Sequence, residues 1–235
     1  MIVRMGLITK KPGLPDLEFE RRWREGHGAI VRKAVPGLIG YLQNLIVDRS
    51  QKGIDYKRGA VEVDGISQLF FSDLAAMRGS VDAQALKTLA DDEAHFVGDL
   101  ILLTAVQNTV VAPPTKGRFV KRMSLLRKRP DVSLEEFQAQ WFGMHAVLVQ
   151  RIPGLLGYRQ NLVIDRRKNR FADDEDAAQI PIDGVVELWF EDNDAIDRGF
   201  GSPRGKTTMM HAAEFLGEIS TYMVQTTAII PEPVA

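Results

Sequence analysis

The 235-residue chain contains no cysteine. That excludes disulfides, thiolate nucleophiles, iron–sulfur clusters and cysteine-based zinc sites. An excess of either charge is missing too: thirty Lys and Arg stand against thirty-one Asp and Glu, for a net charge of −1. Nucleic-acid binding needs a concentrated basic footprint, so no nucleic-acid partner is expected. No apolar run approaches the ~18 residues of a membrane span, so no membrane partner is expected either. The opening segment MIVRMGLITKK lacks a signal-peptide layout, because Arg4 interrupts its apolar stretch early. Histidine is scarce, with four residues and no HxH or HxxxH spacing, so no metal site is expected. The acidic run Asp173-Asp174-Glu175-Asp176 reads as a solvated loop. The stretch 199–208 ends in Gly205-Lys206-Thr207 but has Phe200 where a phosphate-binding loop needs its first glycine. What remains is a globular, cytoplasmic protein, 45% apolar, with no dedicated cofactor motif.

What the chain does have is a repeat. Phe19, Trp23, His27 and Val31 return as Phe137, Trp141, His145 and Val149, always 118 residues later. The segment PGLIGYLQNLIVDR (36–49) returns as PGLLGYRQNLVIDR (153–166), with Arg159 standing where the first copy has Leu42. VRMGLITKKP (3–12) parallels KRMSLLRKRP (121–130), and DGISQLFF (64–71) parallels DGVVELWF (183–190). The order of matches implies a duplication, with repeats at 1–111 and 119–235 and a Pro- and Gly-bearing linker at 112–118.

Each copy shows the same succession of periodicities. In the first, a strand is expected at 2–9 and a helix at 14–34, stopped by Pro36-Gly37. Strands at 38–48 and 65–71 follow, then a helix over about 73–97 broken near Gly79-Ser80, then a strand from about 100 to 111. The order βαββαβ is the ferredoxin-like motif, an α+β fold. Its strands carry apolar residues on both faces, so the sheet face away from the helices must also be buried. Packing the two repeats sheet to sheet into one barrel achieves that and covers the edges.

Phe-x3-Trp-x3-His, then Pro-Gly-Leu-x-Gly-Tyr-x-Gln-Asn and Asp-Gly-x3-Leu-x-Phe, resembles the EthD family of the dimeric α+β barrel superfamily. The ordered set occurs twice and spans most of each repeat. Known relatives include a protein associated with alkyl-ether degradation, methylmuconolactone methylisomerases and fungal polyketide-tailoring enzymes. The resemblance implies an intramolecular version of their dimeric barrel. It also implies a substrate pocket lined by the helix-borne histidine and the tyrosine after Pro-Gly, here His27 with Tyr41 and His145 with Tyr158. Chemistry that depends on a cysteine in relatives cannot operate in this chain.

The expected activity is therefore cofactor-independent proton transfer on a small lactone, carbonyl or aromatic polyketide-like compound, of isomerase, cyclase, dehydratase or oxidoreductase type. An imidazole titrates near neutrality and suits an enolisable substrate, so His27 and His145 are the expected acid/base groups. Tyr41 and Tyr158 are the expected donors to a substrate oxygen. Trp23, Trp141, Phe70 and Trp189 are expected pocket walls, with Gln43, Gln160 and Glu187 as polar contacts. Plainer roles stand beside these. The histidines could bond a backbone carbonyl and orient the turn, and the tyrosines could be core aromatics with surface hydroxyls. Glu187 is either paired inside the barrel or an acid/base, and Gln68 stands in its place in the first copy. Asp92 and His211 occupy matching positions with unlike residues, as do His95 and Glu214, which suggests surface roles. The long charged loops at 49–63 and 166–182, starting at Arg49 and Arg166, read as solvated charge, lids or interface arms. The alternatives to an enzyme are a non-catalytic carrier of a hydrophobic metabolite and, with no supporting motif, haem-dependent oxidation. A small-molecule ligand is the expected partner, with further self-association of the pseudo-dimeric chain left open.

Overall fold

In the computed structural model, which describes residues 1–169 and 179–232, each repeat contributes four strands. The first supplies β1 (Ile2–Lys10), β2 (Gly40–Asp48), β3 (Gly65–Phe71) and β4 (Val97–Val111). The second supplies β5 (Val120–Lys128), β6 (Leu155–Lys168), β7 (Gly184–Phe190) and β8 (Leu216–Ile230). All neighbours are antiparallel, and the closed order is β1-β3-β2-β8-β5-β7-β6-β4. The two repeats meet edge to edge, β2 on β8 and β4 on β6, so no strand edge is left open. Arg170 and the acidic run at 173–176 lie outside the described residues.

The helices cover the outside of the barrel. In the first repeat α1 (Asp16–Arg21) runs through a π-helical turn (Arg22–His27) into α2 (Gly28–Ala34), and α3 (Leu74–Arg78) and α4 (Ala83–Glu93) follow β3. Their counterparts are α5 (Leu134–Gln140), a π-helical turn (Trp141–His145) and α6 (Ala146–Val149), then α7 (Asn193–Gly201) and α8 (Pro203–Phe215). Beyond the end of α2 and α6 the chain turns into the next strand through a glycine with positive φ, Gly37 at +79° and Gly154 at +80°, a conformation that side chains with a Cβ resist.

The strand period of two divides every strand between two environments. Val3, Met5, Leu7, Ile66, Phe70, Met123, Val185 and Tyr222 point into the barrel and form its apolar core. Ile2, Tyr41 and Phe71 point outward against the helices. The repeated Asp-Gly step at the start of β3 and β7 has a packing reason. A Cβ on Gly65 or Gly184 would lie 2.5 Å from the Trp23 or Trp141 ring, so only glycine lets the indole rest on the strand. The preceding aspartates accept a backbone N–H, Asp64 from Lys10 and Asp183 from Lys128. They also pair with Arg49 and Arg166, which tie the long loops to the barrel.

Candidate functional site

The π-helical turns decide where the signature residues sit. Widening the helix by one residue per turn commonly marks functional positions. Here it leaves the Trp23 carbonyl facing the barrel wall, where it accepts a 2.8 Å bond from Gln43 Nε2. The same amide donates to the Tyr41 hydroxyl oxygen at 2.8 Å. In the second repeat Gln160 Nε2 donates to the Trp141 carbonyl at 2.6 Å and to Tyr158 at 2.7 Å. The glutamines thus tie helix, strand and phenol together and do not themselves line the clefts. Both tyrosines are fully buried, so neither hydroxyl reaches the surface.

Two clefts lie between helices and barrel wall, one per repeat. The first is lined by His27, Tyr41, Arg4, Ser67 and Glu93 among apolar residues and holds a cavity of about 30 Å³. The second is lined by His145, Tyr158, Trp141, Arg122 and Ser124, with a cavity of about 40 Å³. Each has room for two or three waters. A ring-sized molecule enters either cleft only when side chains move aside.

The histidines have different partners. His27 Nδ1 lies 2.7 Å from Asp92 Oδ2, and its Nε2 is 3.6 Å from Glu93 Oε1. A carboxylate only accepts, so Nδ1 carries a proton and Nε2 is the ring atom left for chemistry. His145 Nδ1 instead faces His211 Nδ1 at 3.3 Å, with the rings stacked. Asp92 and His211, unlike residues read as surface groups, are therefore the immediate partners of the two signature histidines, while His95 and Glu214 are exposed. Phe96 and Phe215 meet the two imidazoles edge-on in the same way.

Burial, assisted by the neighbouring His211, pushes His145 down to about 3. A histidine held neutral in the fold costs stability once the unfolded chain takes up the proton. Its stabilising effect is complete above the ordinary value of 6.5 and is lost as pH falls from there toward 3. Acid titration of unfolding free energy should show about 1.4 kcal/mol per pH unit from this one group between pH 6 and 4. His145→Phe should flatten that segment; an unchanged slope would show that the imidazole is charged in the fold.

Burial likewise pushes Tyr158 above the ordinary phenol range, so it stays protonated and can donate a hydrogen bond. Arg4 and Arg122 were not singled out in the sequence. The readable signal was an arginine retained before methionine at matching positions of the first strand.

Of the remaining expected site residues, Trp141 lines the second cleft, while Trp23 does not line the first and packs in a cluster with Phe19, Phe96, Leu100 and Leu102. Phe70, Glu187 and Trp189 point into the barrel, on the opposite strand face from the histidines and tyrosines. There Glu187 pairs with Lys121 at 2.6 Å and accepts from Gln68 and Asn161, each at 2.9 Å. Lys121 also lies over the Trp189 ring. The expected set thus divides into two outer clefts and one polar cluster inside the barrel.

The arm following β2, residues 49–64, crosses onto the second repeat. Ile54 lines the His145 cleft. Tyr56 Oη donates to the Leu216 carbonyl at 2.8 Å, Gln51 bonds the Ile219 carbonyl at 2.9 Å, and Lys52 pairs with Asp197. The second cleft is therefore built from both repeats. Among the described residues no cluster of three metal-ligating side chains occurs, and no helix is long and apolar enough to cross a membrane.

The EthD domain model matches the chain twice, over residues 11–99 and 129–218. No curated protein matches. Among solved structures, an anthrone oxidase-like protein is similar at 14% identity, covering 100% of this chain and 95% of that one, with a TM-score of 0.62. A mutant chlorite dismutase from Candidatus Nitrospira defluvii is similar at 10% identity over 95% and 91% of the two chains, with a TM-score of 0.51. At these identities the likeness is one of fold. An ethyl tert-butyl ether d (EthD) family protein from Bacillus halodurans C-125 aligns at 18% identity over 49% of this chain and 99% of its own, with a TM-score of 0.34.

Proposed function

The chain belongs to the EthD-domain family, and on that premise we propose that it is a proton-transfer enzyme acting on a small lactone, carbonyl or aromatic polyketide-like compound, with His27 as base. The observation that carries this reading is the His27–Asp92 contact. A carboxylate on Nδ1 fixes the tautomer, orients the ring and supports positive charge on it, leaving Nε2 as acceptor. Nε2 takes a proton from the carbon next to a substrate carbonyl. The C–H electron pair moves onto the carbonyl oxygen as an enolate, and the proton returns to a different carbon or oxygen. Arg4 and the Tyr41 phenol line the same cleft and offer positive charge and a polarised O–H to the developing oxyanion. Gln43, fixed to the helix carbonyl, positions that phenol.

The test is a panel of lactones and phenolic polyketides incubated with the full chain in D2O, read for deuterium incorporation and product. Wild type should exchange and turn over at least one member, and His27→Ala should lose that activity by about 10²–10⁴-fold. Equal activity in His27→Ala would remove His27 as the base, and saturable binding with no exchange by wild type would replace the enzyme with a carrier.

A further inference from the structure

The second cleft contains a buried cation with no counter-ion. Arg122 is 3% exposed, and no carboxylate among the described residues pairs with it. One terminal nitrogen donates to Thr221 Oγ1 at 2.9 Å, the guanidinium lies 4.6 Å from the centre of the Phe200 ring, and Nε has no partner. A guanidinium buried this way is costly unless something meets its charge, and burial pushes Arg122 down to about 9.

The first repeat shows what is missing. Its matching arginine, Arg4, shares a cleft with the Glu93 carboxylate, which lies 3.6 Å from His27 Nε2. Glu93 stands three residues before Phe96, and three residues before the equivalent Phe215 the second repeat has Ala212. Ala212 is buried and lines the second cleft. The second repeat therefore has the arginine and the histidine without the acid. The second cleft holds a cavity of about 40 Å³, against about 30 Å³ in the first, and its wall is mostly apolar, with Leu188, Phe200 and Met209.

We propose that the second cleft is a binding site for a small apolar monocarboxylic acid, whose carboxylate takes the place beside Arg122 and His145 that the Glu93 side chain fills in the first repeat. Arg122 meets the charge with its unpartnered N–H, and Tyr158 and Ser124 stand within the same wall. The apolar remainder of the ligand lies toward Met209, a flexible side chain that can repack, and Ile54 of the crossing arm.

Calorimetric titration of the full chain with acetate, isobutyrate and benzoate tests this. Wild type should bind at least one saturably, with one site per chain. Arg122→Met should weaken binding at least tenfold, and Ala212→Glu, which installs the missing acid, should abolish it. Ala212→Ser should bind within a fewfold of wild type. Thermal unfolding supplies a second readout. Without ligand, Arg122→Met should be as stable as wild type or more so, because it removes an uncompensated buried charge, whereas a purely structural arginine would give a large fall in Tm. Absence of saturable binding to wild type, or binding by Arg122→Met or Ala212→Glu at wild-type strength, overturns the proposal. His27→Ala should bind the acids normally, so this site stands or falls separately from turnover in the first cleft; loss of binding in that variant would place the acid in the first cleft and overturn the assignment.

Discussion

Glu187→Gln should lower the unfolding free energy by about 3–5 kcal/mol, the range found when one member of a buried ion pair is removed. For a chain of this size that is a fall in Tm of roughly 10 °C. Glu187 is fully buried inside the barrel, and burial alone would raise its carboxyl. The charges of Lys121 and Arg159, with hydrogen bonds from Lys121 and Asn161, outweigh that and hold it below its ordinary 4.5. Its contribution is therefore present above pH 4.5 and is lost as pH falls through the lower folded value. Glutamine keeps the shape and the bonds from Gln68 and Asn161, yet leaves Lys121, 4% exposed, without an anion. The first repeat carries the remedy: where the second has Lys121, Arg159 and Glu187, the first has Val3, Leu42 and Gln68. The triple variant Lys121→Val, Arg159→Leu, Glu187→Gln should therefore recover most of the loss, because apolar replacement of buried ionic groups is often neutral and Glu232, the other partner of Arg159, is partly exposed. Chemical denaturation of the three proteins decides it. A neutral single variant, or a triple variant less stable than the single, would mean that the pair is not what stabilises this end of the barrel.

That network also shows what fusing two repeats permits. Gln68 and Glu187 occupy equivalent positions and touch across the pseudo-twofold axis, Gln68 donating to Glu187 at 2.9 Å. Two identical chains would place like residues there, and two ionised glutamates at that distance would repel. In one chain each half can take its own residue, and the same freedom separates the two clefts. One histidine has Asp92 and Glu93 beside it; the other has His211 and Ala212.

The fold was legible because its signals are long and occur twice. The strand and helix periods, the Pro-Gly stops and the offset between copies point to two βαββαβ units, and apolar residues on both strand faces point to the closed barrel. The site was legible only in part. His27 with Tyr41, and His145 with Tyr158, share their clefts as the family resemblance implied. Phe70, Glu187 and Trp189 belong to the other strand face. Alternation separates them from Ser67 and Leu188, but nothing local says which face becomes the barrel interior until strands from both repeats are paired. The π-helical turns leave no composition signal, so the tie from Gln43 to the Trp23 carbonyl was not readable. Asp92 and His211 were read as surface groups because unlike residues at matching positions suggest neglect, whereas each is the immediate partner of a signature histidine.

Asp92→Asn should lower kcat for the reaction proposed for the first cleft by about 10²–10⁴-fold, the usual contribution of a general base, with little change in KM. Asp92 is a positioning residue: it does not line the cleft, so it should not alter substrate binding directly. It acts through His27 Nδ1, 2.7 Å away. As a carboxylate it can only accept, which keeps the proton on Nδ1 and the lone pair on Nε2. An asparagine can turn its NH2 toward Nδ1 and favour the opposite tautomer, in which Nε2 carries the proton and cannot act as base. It also removes the negative charge that supports the imidazolium formed after proton abstraction. The Asp92 side chain is 25% exposed, so the substitution buries no new unpaired group and Tm should change little. A structural role would give the reverse pattern, with Tm and KM affected together. Asp92→Glu should restore part of kcat, since it keeps the charge and displaces it by one methylene. His211→Ala, the matching change in the other repeat, should leave turnover in the first cleft unchanged. If Asp92→Asn keeps full kcat, or if His211→Ala lowers it as much, the Asp92–His27 pair is not the base.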